Sequence, residues 1–284
     1  MTANGPVSGD EQPGLDEGVQ EGPRDGGTPS PNGRDSRVSV TPADLGRHPC
    51  FSKEAAGSHG RVHVPVAPKC NIQCVYCNRK YSCTNESRPG VTRKVLSPWQ
   101  AVDYVRAVRR IDPRISVVGI AGPGDAFANP DETLETLHRL RTAEPDIILC
   151  LSTNGLNAPA YVDDVKRLGV SHVTVTINAV APEIGAGVYR FVRHRGTTLR
   201  GREAAERLLA AQLDTVARLK AVGVVCKVNT VLIPGLNDHH VLAIAEKVAT
   251  LGADLFNCVP LIPSPNAPFA GQPEPPSAVV EDIR

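Results

Sequence analysis

Four of the chain's eight cysteines lie in one short stretch, CNIQCVYCNRKYSC, which runs from Cys70 to Cys83. The first three, Cys70, Cys74 and Cys77, have the spacing CxxxCxxC. Three thiolates on one tight loop can bind three irons of a 4Fe–4S cluster and leave the fourth iron open to a substrate or cofactor. A structural zinc site is the alternative, although zinc usually requires a CxxC pair together with a second pair. The spacing therefore favours an iron–sulfur site.

The composition of the chain limits the classes of function that fit it. Its 284 residues are 41% hydrophobic and carry a net charge of +1, which favours one medium-sized soluble domain and gives no indication of nucleic acid binding. Apolar runs such as DIILCL are far shorter than the roughly 18 residues of a membrane span. Because no secretion signal opens the sequence, we expect a cytoplasmic protein, in which clustered cysteines bind metal or serve redox chemistry more often than they form disulfides.

Changes in composition divide the chain into three parts. Residues 1–46 are rich in Gly, Pro and Asp and have few large apolar side chains, so we predict a disordered tail. Residues 47–262 are predicted to form the folded catalytic domain. Residues 263–284 are again rich in proline, which predicts a loop leading to the end of the sequence.

Short apolar runs alternate with longer amphipathic segments in the folded part. The helix signal is clearest at Ser97, a predicted N-cap that precedes Pro98, and the cysteine stretch before it is predicted to be a loop. Continuous β-branched runs favour a parallel sheet covered on both faces. Six strand–helix units are fewer than the eight of a closed barrel, so we predict an α/β fold of the partial (βα)6 TIM-like barrel type. The predicted strands are residues 61–67, 115–121, 146–152, 172–178, 226–233 and 253–262.

In such a fold the functional site lies at the carboxyl ends of the strands. Small and polar residues follow three of the predicted strands and are the candidates for ligand binding. Glycine lets the backbone approach a ligand closely, and polar side chains can donate or accept hydrogen bonds, although each of these residues could equally form a turn or a helix cap. The candidates are Gly122, Gly124, Asp125, Ser152, Asn154 and Asn178.

The cysteine loop resembles that of the radical S-adenosylmethionine enzymes, because CxxxCxxC follows the first strand and an aromatic residue, Tyr76, precedes the last cysteine. An ordered set of blocks over residues 47–262 further resembles the NifB family of nitrogenase cofactor biosynthesis enzymes. This resemblance implies the radical S-adenosylmethionine type of partial barrel. The blocks are HPC (48–50), the cysteine stretch, NESRPG (85–90), IAGPGD (120–125), CLSTNG (150–155), TVTIN (174–178) and IPGLND (233–238).

The resemblance implies a use for the cysteine loop and for the polar residues at the strand ends. Cys70, Cys74 and Cys77 would hold the cluster that binds S-adenosylmethionine, and reduction of that cluster would release a 5'-deoxyadenosyl radical. Tyr76 and the six candidates at the strand ends would belong to the cofactor site. The family fuses two further 4Fe–4S clusters into an eight-iron core with a carbide taken from S-adenosylmethionine, in the synthesis of the iron–molybdenum cofactor.

Such chemistry needs ligands beyond the first three cysteines. By resemblance, His48, Cys50 and Cys83 would bind one precursor cluster and Cys150 would bind the second. A histidine before proline could instead cap a turn.

The block NESRPG supplies the two candidate catalytic residues, Glu86 and Arg88. In the family this block borders the active site, where the charged groups could assist proton loss from the carbon intermediate or steady the anionic clusters. A surface ion pair is the alternative for these two residues.

The chain departs from the family pattern beyond its last predicted strand. There the family has a CxxC block that completes the site of Cys150, and this sequence has none. Cys226 and Cys258 lie in predicted strands, where a free cysteine behaves as a small apolar residue. A truncated chain, a paralogue with simpler chemistry, or a site completed by a partner or by exogenous ligands would each explain the difference.

Two other functions stay open on the sequence alone. One is a different radical S-adenosylmethionine enzyme, such as a methylase or an activating enzyme, and the other is a non-enzymatic iron–sulfur scaffold. The resemblance favours the cofactor enzyme and implies its partners: iron–sulfur cluster donors and cofactor carriers of nitrogenase assembly, and an electron donor such as ferredoxin or flavodoxin. Neither nucleic acid nor a membrane is expected as a partner.

Overall fold

The computed structural model describes residues 46–52, 54–78, 80–81, 83 and 94–283. The predicted tail lies outside these residues except for its last position, and so do both candidate catalytic residues, Glu86 and Arg88. Over the described part of the chain, no helix has the length and apolar character needed to cross a membrane.

A curved sheet of six parallel strands forms the centre of the fold, in the order β1-β3-β4-β5-β8-β9. Its strands correspond to the six predicted ones, and a three-stranded antiparallel sheet, β2-β6-β7, stands beside it. The α/β fold with six strands of a partial TIM-like barrel is therefore confirmed. The strands are β1 (Gly60–His63), β2 (Ile72–Cys74), β3 (Ile115–Ile120), β4 (Ile148–Thr153), β5 (Val170–Thr176), β6 (Tyr189–His194), β7 (Thr197–Leu199), β8 (Val225–Leu232) and β9 (Leu255–Pro260).

Helices connect the strands of the parallel sheet. The first begins as predicted: the Ser97 hydroxyl accepts a hydrogen bond from the Gln100 N–H (3.3 Å), and the Gln100 side chain accepts one from the Ser97 N–H (3.0 Å). The α-helices of the described residues are α1 (Pro98–Ile111), α2 (Pro130–Ala143), α3 (Val162–Arg167), α4 (Pro182–Val188), α5 (Gly201–Ala221), α6 (Val241–Ala249) and α7 (Ser277–Ile283).

The two faces of the parallel sheet differ in chemistry because alternate side chains point to opposite faces. The outer face, with residues such as Val118, Leu149 and Val173, is buried in an apolar core together with helical residues. The strand register places a set of polar side chains together on the inner, concave face. This polar set consists of His63, Cys150, Ser152, His172, Thr174, Thr176, Lys227, Asn229 and Asn257.

The prediction of a loop throughout the cysteine stretch is wrong for residues 72–74. These residues form β2, which pairs antiparallel with β6 and places Ile72 opposite Val192 and Cys74 opposite Tyr189. The first predicted strand is also shorter than expected and ends at His63. The pairing partner of β2 lies more than 100 residues away in sequence, so no local pattern could reveal it.

The C-terminal segment also differs from its prediction as a loop. Ser277–Ile283 form α7, and Val280 on this helix is buried against Leu232, Val241 and Cys258. Burial of an apolar side chain against the rest of the fold stabilises a helix that is too short to persist alone.

Candidate functional site

A cleft lies at the carboxyl ends of the parallel strands, where the fold class places functional sites. Most of the predicted site residues line it, including all four cysteines of the CNIQCVYCNRKYSC stretch. Ile72, Ala121, Thr153 and Thr176 complete its wall. The predicted residues in the cleft are Cys70, Tyr76, Cys74, Cys77, Cys83, Gly124, Asp125, Ser152 and Asn154.

Backbone and side-chain hydrogen bonds fix the start of the cysteine loop against the loop that follows β3. The Asn129 side-chain amide donates to the Lys69 carbonyl (2.8 Å), and its oxygen accepts from the Lys69 N–H (3.0 Å). The Gly124 N–H donates to the Ala67 carbonyl (2.6 Å), and the Asp125 N–H donates to the Lys69 carbonyl (2.8 Å). The position of Cys70 is thereby coupled to the end of β3.

The two candidate glycines have different surroundings. A Cβ atom on Gly124 would lie 2.0 Å from the Lys69 carbonyl oxygen, so only glycine fits there. The close approach at Gly124 is thus one of backbone to backbone, whereas the sequence predicted an approach to a ligand. Gly122 adopts a φ of +110°, which favours glycine, precedes a cis bond to Pro123, and is not among the residues lining the cleft.

Asp125 joins the ends of two neighbouring strands. Its buried carboxylate accepts hydrogen bonds from the backbone N–H groups of Asn154 (2.6 Å) and Phe127 (2.9 Å) and from the Thr153 hydroxyl (3.1 Å). Burial raises the pKa of Asp125, and these hydrogen bonds oppose the rise because they stabilise the ionised form. The residue therefore braces the cleft wall in addition to lining the cleft.

Asn154 contacts the cysteine loop directly. Its side-chain N–H group donates to the Asn71 side chain (2.7 Å) and lies 3.7 Å from the Cys70 sulfur. Its oxygen accepts from the Leu156 N–H (2.9 Å), which fixes the orientation of the amide. An N–H group aimed at a sulfur atom stabilises the thiolate form that a metal ion requires.

Asn178 lies behind the cleft, outside the set of lining residues. It is fully buried, and its side-chain oxygen accepts from the Val231 N–H (2.8 Å) while its N–H group donates to the Tyr76 hydroxyl (2.8 Å). The pKa of Tyr76 is raised well above its usual value, mainly by burial and to a smaller extent by the neighbouring Cys74, so the phenol keeps its proton. Since that hydroxyl accepts from Asn178, its proton is available to the Cys74 side chain, with which it is hydrogen-bonded.

A second group of predicted residues lies further along the inner face, toward the amino ends of the strands. His48 is buried in an aromatic cluster, with ring centroids 4.5 Å from His172 and 4.7 Å from Phe51. Its Nδ1 accepts from the Cys50 N–H (3.2 Å), and its buried Nε2 has no hydrogen-bond partner among the described residues. Arg61 donates to the Cys50 sulfur.

Cys150 belongs to the same region of the inner face. It pairs in register with Gly119 on one side and His172 on the other. A Cβ atom on Gly119 would lie 2.8 Å from the Cys150 sulfur and 2.9 Å from Cδ2 of His63, so this glycine gives both side chains their space. The structure therefore separates the predicted residues into the cleft and an inner group of His48, Cys50 and Cys150.

The inner group lies in a cationic environment. The pKa of His48 is lowered to about 3, mainly by burial and to a smaller extent by the charges of His172 and Lys227. The pKa of His63 is lowered to about 4, mainly by burial and to a smaller extent by the charges of Arg61 and Lys227. Both imidazoles are therefore neutral at physiological pH, the state in which imidazole binds metals.

The two cysteines discounted from the sequence lie apart from both groups. Cys226 is fully buried on the outer face among apolar residues, and burial raises its pKa to about 12. Cys258 is buried beside α7. A thiol that resists ionisation is a poor metal ligand, which agrees with the sequence-based interpretation.

The donor set in the cleft fits a cubane cluster. Three thiols of one loop face the same space, and a cubane places its thiolates on separate irons. Within the described residues, no three His, Cys, Asp or Glu side chains lie close enough together to bind a single metal ion. This finding applies to mononuclear sites. The Nε2 of His48, which has no hydrogen-bond partner in the described part of the chain, adds a donor atom in the inner group.

Sequence reasoning missed several residues that hold the site together. Asn237 donates to the carbonyls of Asn178 and Val231 (2.9 Å each), and Gln212 donates to the carbonyls of Asn154 (3.1 Å) and Thr176 (2.7 Å). Asn237 lies in the block IPGLND, for which the sequence indicated no function beyond the family resemblance. Gln212 is a polar residue on the buried face of a helix, and that position was the available signal.

The chain is similar in sequence to a known family and to characterised proteins. Residues 64–248 match the Radical SAM superfamily. The chain is 50% identical over 241 residues to the FeMo cofactor biosynthesis protein NifB of Chlorobaculum tepidum, a match that covers 85% of this chain and 57% of that protein. It is 48% identical over 246 residues to the protein of the same name from Klebsiella pneumoniae, covering 85% and 53%. The chain thus spans about half the length of the curated relatives it matches.

Solved structures of lower sequence similarity share the fold. A radical SAM methyltransferase from Sphaerobacter thermophilus superposes with a TM-score of 0.56 at 21% identity, covering 79% of this chain and 62% of that one. Methylornithine synthase (PylB) superposes with a TM-score of 0.52 at 13% identity, covering 83% and 65%. These two likenesses agree with the partial barrel described above.

Proposed function

The chain belongs to the radical S-adenosylmethionine superfamily and is NifB-like, and on this premise we propose that it is an iron–sulfur enzyme of nitrogenase iron–molybdenum cofactor biosynthesis. The observation that carries the proposal is the presence of Cys70, Cys74 and Cys77 in one cleft at the carboxyl ends of a parallel sheet. The similarity to NifB proteins supports the biosynthetic role, and the cleft supports the radical chemistry.

Cys70, Cys74 and Cys77 would hold a 4Fe–4S cluster, with S-adenosylmethionine bound beside it. When bound, the cluster supplies the electron that cleaves the sulfonium of S-adenosylmethionine and releases a 5'-deoxyadenosyl radical. Asn154 directs an N–H group at Cys70, and Tyr76 supports Cys74 through its hydroxyl. Both contacts would orient the thiolates and stabilise their charge.

The remaining wall of the cleft would bind S-adenosylmethionine. The Ser152 hydroxyl offers a polar group for its amino acid or ribose part. Ile72 and Ala121 contribute apolar surface, which excludes water from a reactive radical. Asp125, with its carboxylate already engaged by three donors, would keep the two strand ends in place around the cofactor.

We further propose that the substrates are two 4Fe–4S clusters, which the enzyme fuses into an eight-iron core with a carbide from S-adenosylmethionine. His48, Cys50 and Cys83 would bind one cluster and Cys150 would contribute to the other. Two properties of His48 support a ligand role: its Nε2 has no hydrogen-bond partner within the residues that the structure describes, and its ring is neutral.

The proposal also includes a proton-transfer role and the partners of the reaction. Glu86 and Arg88 would help proton loss from the carbon intermediate or steady the anionic clusters. Cluster donors and cofactor carriers of nitrogenase assembly, and a ferredoxin or flavodoxin, would be the partners in the cytoplasm.

The proposal is tested by anaerobic reconstitution with iron and sulfide, followed by a cleavage assay with dithionite and S-adenosylmethionine. About twelve irons per chain, with 5'-deoxyadenosine and S-adenosylhomocysteine both formed, would support the full proposal. About four to eight irons with 5'-deoxyadenosine alone would support radical chemistry and contradict the carbide step in this chain. If the chain bound iron but cleaved no S-adenosylmethionine, the proposal of an enzyme would be overturned in favour of an iron–sulfur scaffold.

A pair of matched variants assigns the radical cluster to its residues. We expect Cys74→Ala to abolish 5'-deoxyadenosine formation and to leave iron bound at Cys50 and Cys83. Cys226→Ala removes a thiol from the apolar outer face and is expected to retain cleavage within about threefold, with a stability loss of about 1 kcal/mol. Cleavage that persists in the Cys74→Ala chain would rule out this assignment.

A further inference from the structure

Lys227 is a buried lysine on the inner face of β8, with 7% of its surface exposed. Its neighbour in register on β5 is Thr174, which in turn pairs with Ser152 of the cleft wall. His172 and Cys150 lie in the next row toward the amino ends of the strands. The lysine therefore stands between the cleft and the inner group.

The side chain of Lys227 points toward the segment that carries the candidate cluster ligands. Its ammonium nitrogen lies 5.1 Å from the centroid of the Phe51 ring. Phe51 packs against His48 and His172 and follows Cys50 in the chain. Lys227 is not among the residues that line the cleft of the three-cysteine loop.

The charge around Lys227 is one-sided. Among the described residues no carboxylate forms an ion pair with it, and Arg61, which donates to the Cys50 sulfur, is a second basic side chain beside the inner group. A buried cation is costly unless an anion compensates it. Two basic side chains beside His48 and Cys50 thus suit an anionic ligand.

We propose that Lys227 binds the anionic iron–sulfur substrate held by the inner group and neutralises part of its charge. This inference rests on the proposed function and adds a residue to it. Thiolate-ligated 4Fe–4S clusters are anions, as is a sulfide-rich core built from two of them. The carboxylate of S-adenosylmethionine is the other possible anion, but Lys227 contacts the ring of Phe51 beside the cluster ligands and lies outside the cleft wall.

The test measures how tightly the inner group holds iron, in chains whose first cluster has been removed by Cys74→Ala. After anaerobic reconstitution, release of the remaining iron to a chelator is followed by absorbance, without S-adenosylmethionine. We expect Lys227→Met to release it about tenfold faster, equivalent to ~1.4 kcal/mol of binding. Lys227→Arg keeps the charge and is expected to stay within about threefold of the parent chain.

Lys247→Met is the matched control. Lys247 is exposed on the last turn of α6, so this variant changes the net charge by the same amount outside the barrel. We expect its rate of iron release to equal that of the parent chain. If the Lys227→Met chain released iron at the same rate as the parent chain, the inference would be overturned.

Thermal unfolding of the cluster-free chains separates a binding role from a structural one. Because Lys227 is buried and no carboxylate of the described residues pairs with it, Lys227→Met is expected to melt at the same temperature as the parent or higher. A lower melting temperature would contradict the inference, since it would show that the lysine stabilises the fold itself.

The failure of this inference can be distinguished from that of the proposed function. Loss of 5'-deoxyadenosine in an otherwise natural Lys227→Met chain, with iron release unchanged, would assign the lysine to the carboxylate of S-adenosylmethionine and overturn the inference. Absence of retained iron in the Cys74→Ala chain would also overturn it. Cleavage by the natural chain would still support the radical enzyme in either case.

Discussion

The carboxylate of Asp125 illustrates how single residues at the cleft serve both the fold and the ligand site. It accepts hydrogen bonds from groups on two loops and lines the cleft at the same time. Asn154 likewise caps its own loop and directs an N–H group at Cys70. Polar residues at a rim must be held rigidly if they are to position a cofactor, and here their own hydrogen bonds supply that rigidity.

The raised pKa of Asp125 predicts a pH-dependent contribution to stability. In the window between its unfolded pKa, about 3.9, and its higher folded pKa, the folded chain binds more protons than the unfolded chain. The unfolding free energy contributed by this group therefore falls as the pH rises through that window. Asp125→Asn lacks this dependence, and its amide N–H₂ would face a backbone N–H, at a cost of about 1–3 kcal/mol.

Chemical denaturation of the cluster-free chains at several pH values measures this effect. We expect the stability advantage of the parent over Asp125→Asn to shrink as the pH rises from about 4. Asp103→Asn, at an exposed position on α1, serves as the control and is expected to change stability by less than about 0.5 kcal/mol. An advantage that grows with pH would contradict the direction of the shift.

At the scale of elements, the cysteine loop is held from two sides. On one side β2 pairs with β6, and the Arg193 N–H donates to the Asn71 carbonyl (2.7 Å) next to Cys70. On the other side the loop after β3 packs so closely that Gly124 touches the backbone of Lys69. The three thiols are therefore positioned by elements distant in sequence, before any cluster is bound.

We predict that Gly124→Ala displaces the cysteine loop. The added Cβ would meet a backbone carbonyl that cannot move without breaking its hydrogen bonds to Asn129 and Asp125. The expected loss of stability is about 3 kcal/mol, together with loss of the iron of the first cluster. Thermal unfolding and iron analysis after reconstitution measure the two effects.

Gly57→Ala is the control for this substitution. Nothing lies within 4 Å of a Cβ atom at Gly57, so that variant should match the parent in both measurements. If Gly124→Ala behaved like the control, the close approach would have no role in positioning the loop.

At the scale of the whole molecule, the parallel sheet separates an apolar core from a polar interior. Its outer face packs against helices, and its inner face carries histidines, a lysine and small polar residues. The eight cysteines follow this division, since six belong to the cleft or the inner group and two are buried elsewhere. The interior of the barrel is thus suited to charged and metal-containing ligands.

This division predicts the order in which the cysteines of the cluster-free chain react with iodoacetamide. Cys50, Cys70, Cys83 and Cys150 are partly exposed, whereas Cys226 is fully buried and burial raises its pKa to about 12. Since the thiolate is the reactive form, we expect these four to be alkylated at least about tenfold faster than Cys226 near pH 8. Peptide mass spectrometry of a time course measures the rates.

Alkylation in denaturant provides the control, because unfolding should make all eight thiols react at similar rates. Early modification of Cys226 in the folded chain would contradict its placement on the outer face. Reactive thiols and open irons also predict that air inactivates the loaded protein and that anaerobic handling prevents the loss.

Local patterns in the sequence determined much of the fold. The six strands of the parallel sheet and the capped start of α1 at Ser97 were predicted, because apolar periodicity and capping residues act over a few positions. The clustering of Cys70, Cys74 and Cys77 in a cleft followed from their spacing and from the rule that parallel strands end at one edge. These features depend on residues close together in the chain.

Only the tertiary structure decided which residues meet across the chain. It paired β2 with β6, turned Gly124 toward the Lys69 carbonyl, placed Asn178 behind Tyr76, and formed α7 where the sequence predicted a loop. It also revealed Lys227 without a carboxylate partner among the described residues. Some of these contacts join segments more than 100 residues apart. No local pattern specifies them, because burial and charge compensation are properties of the folded chain as a whole.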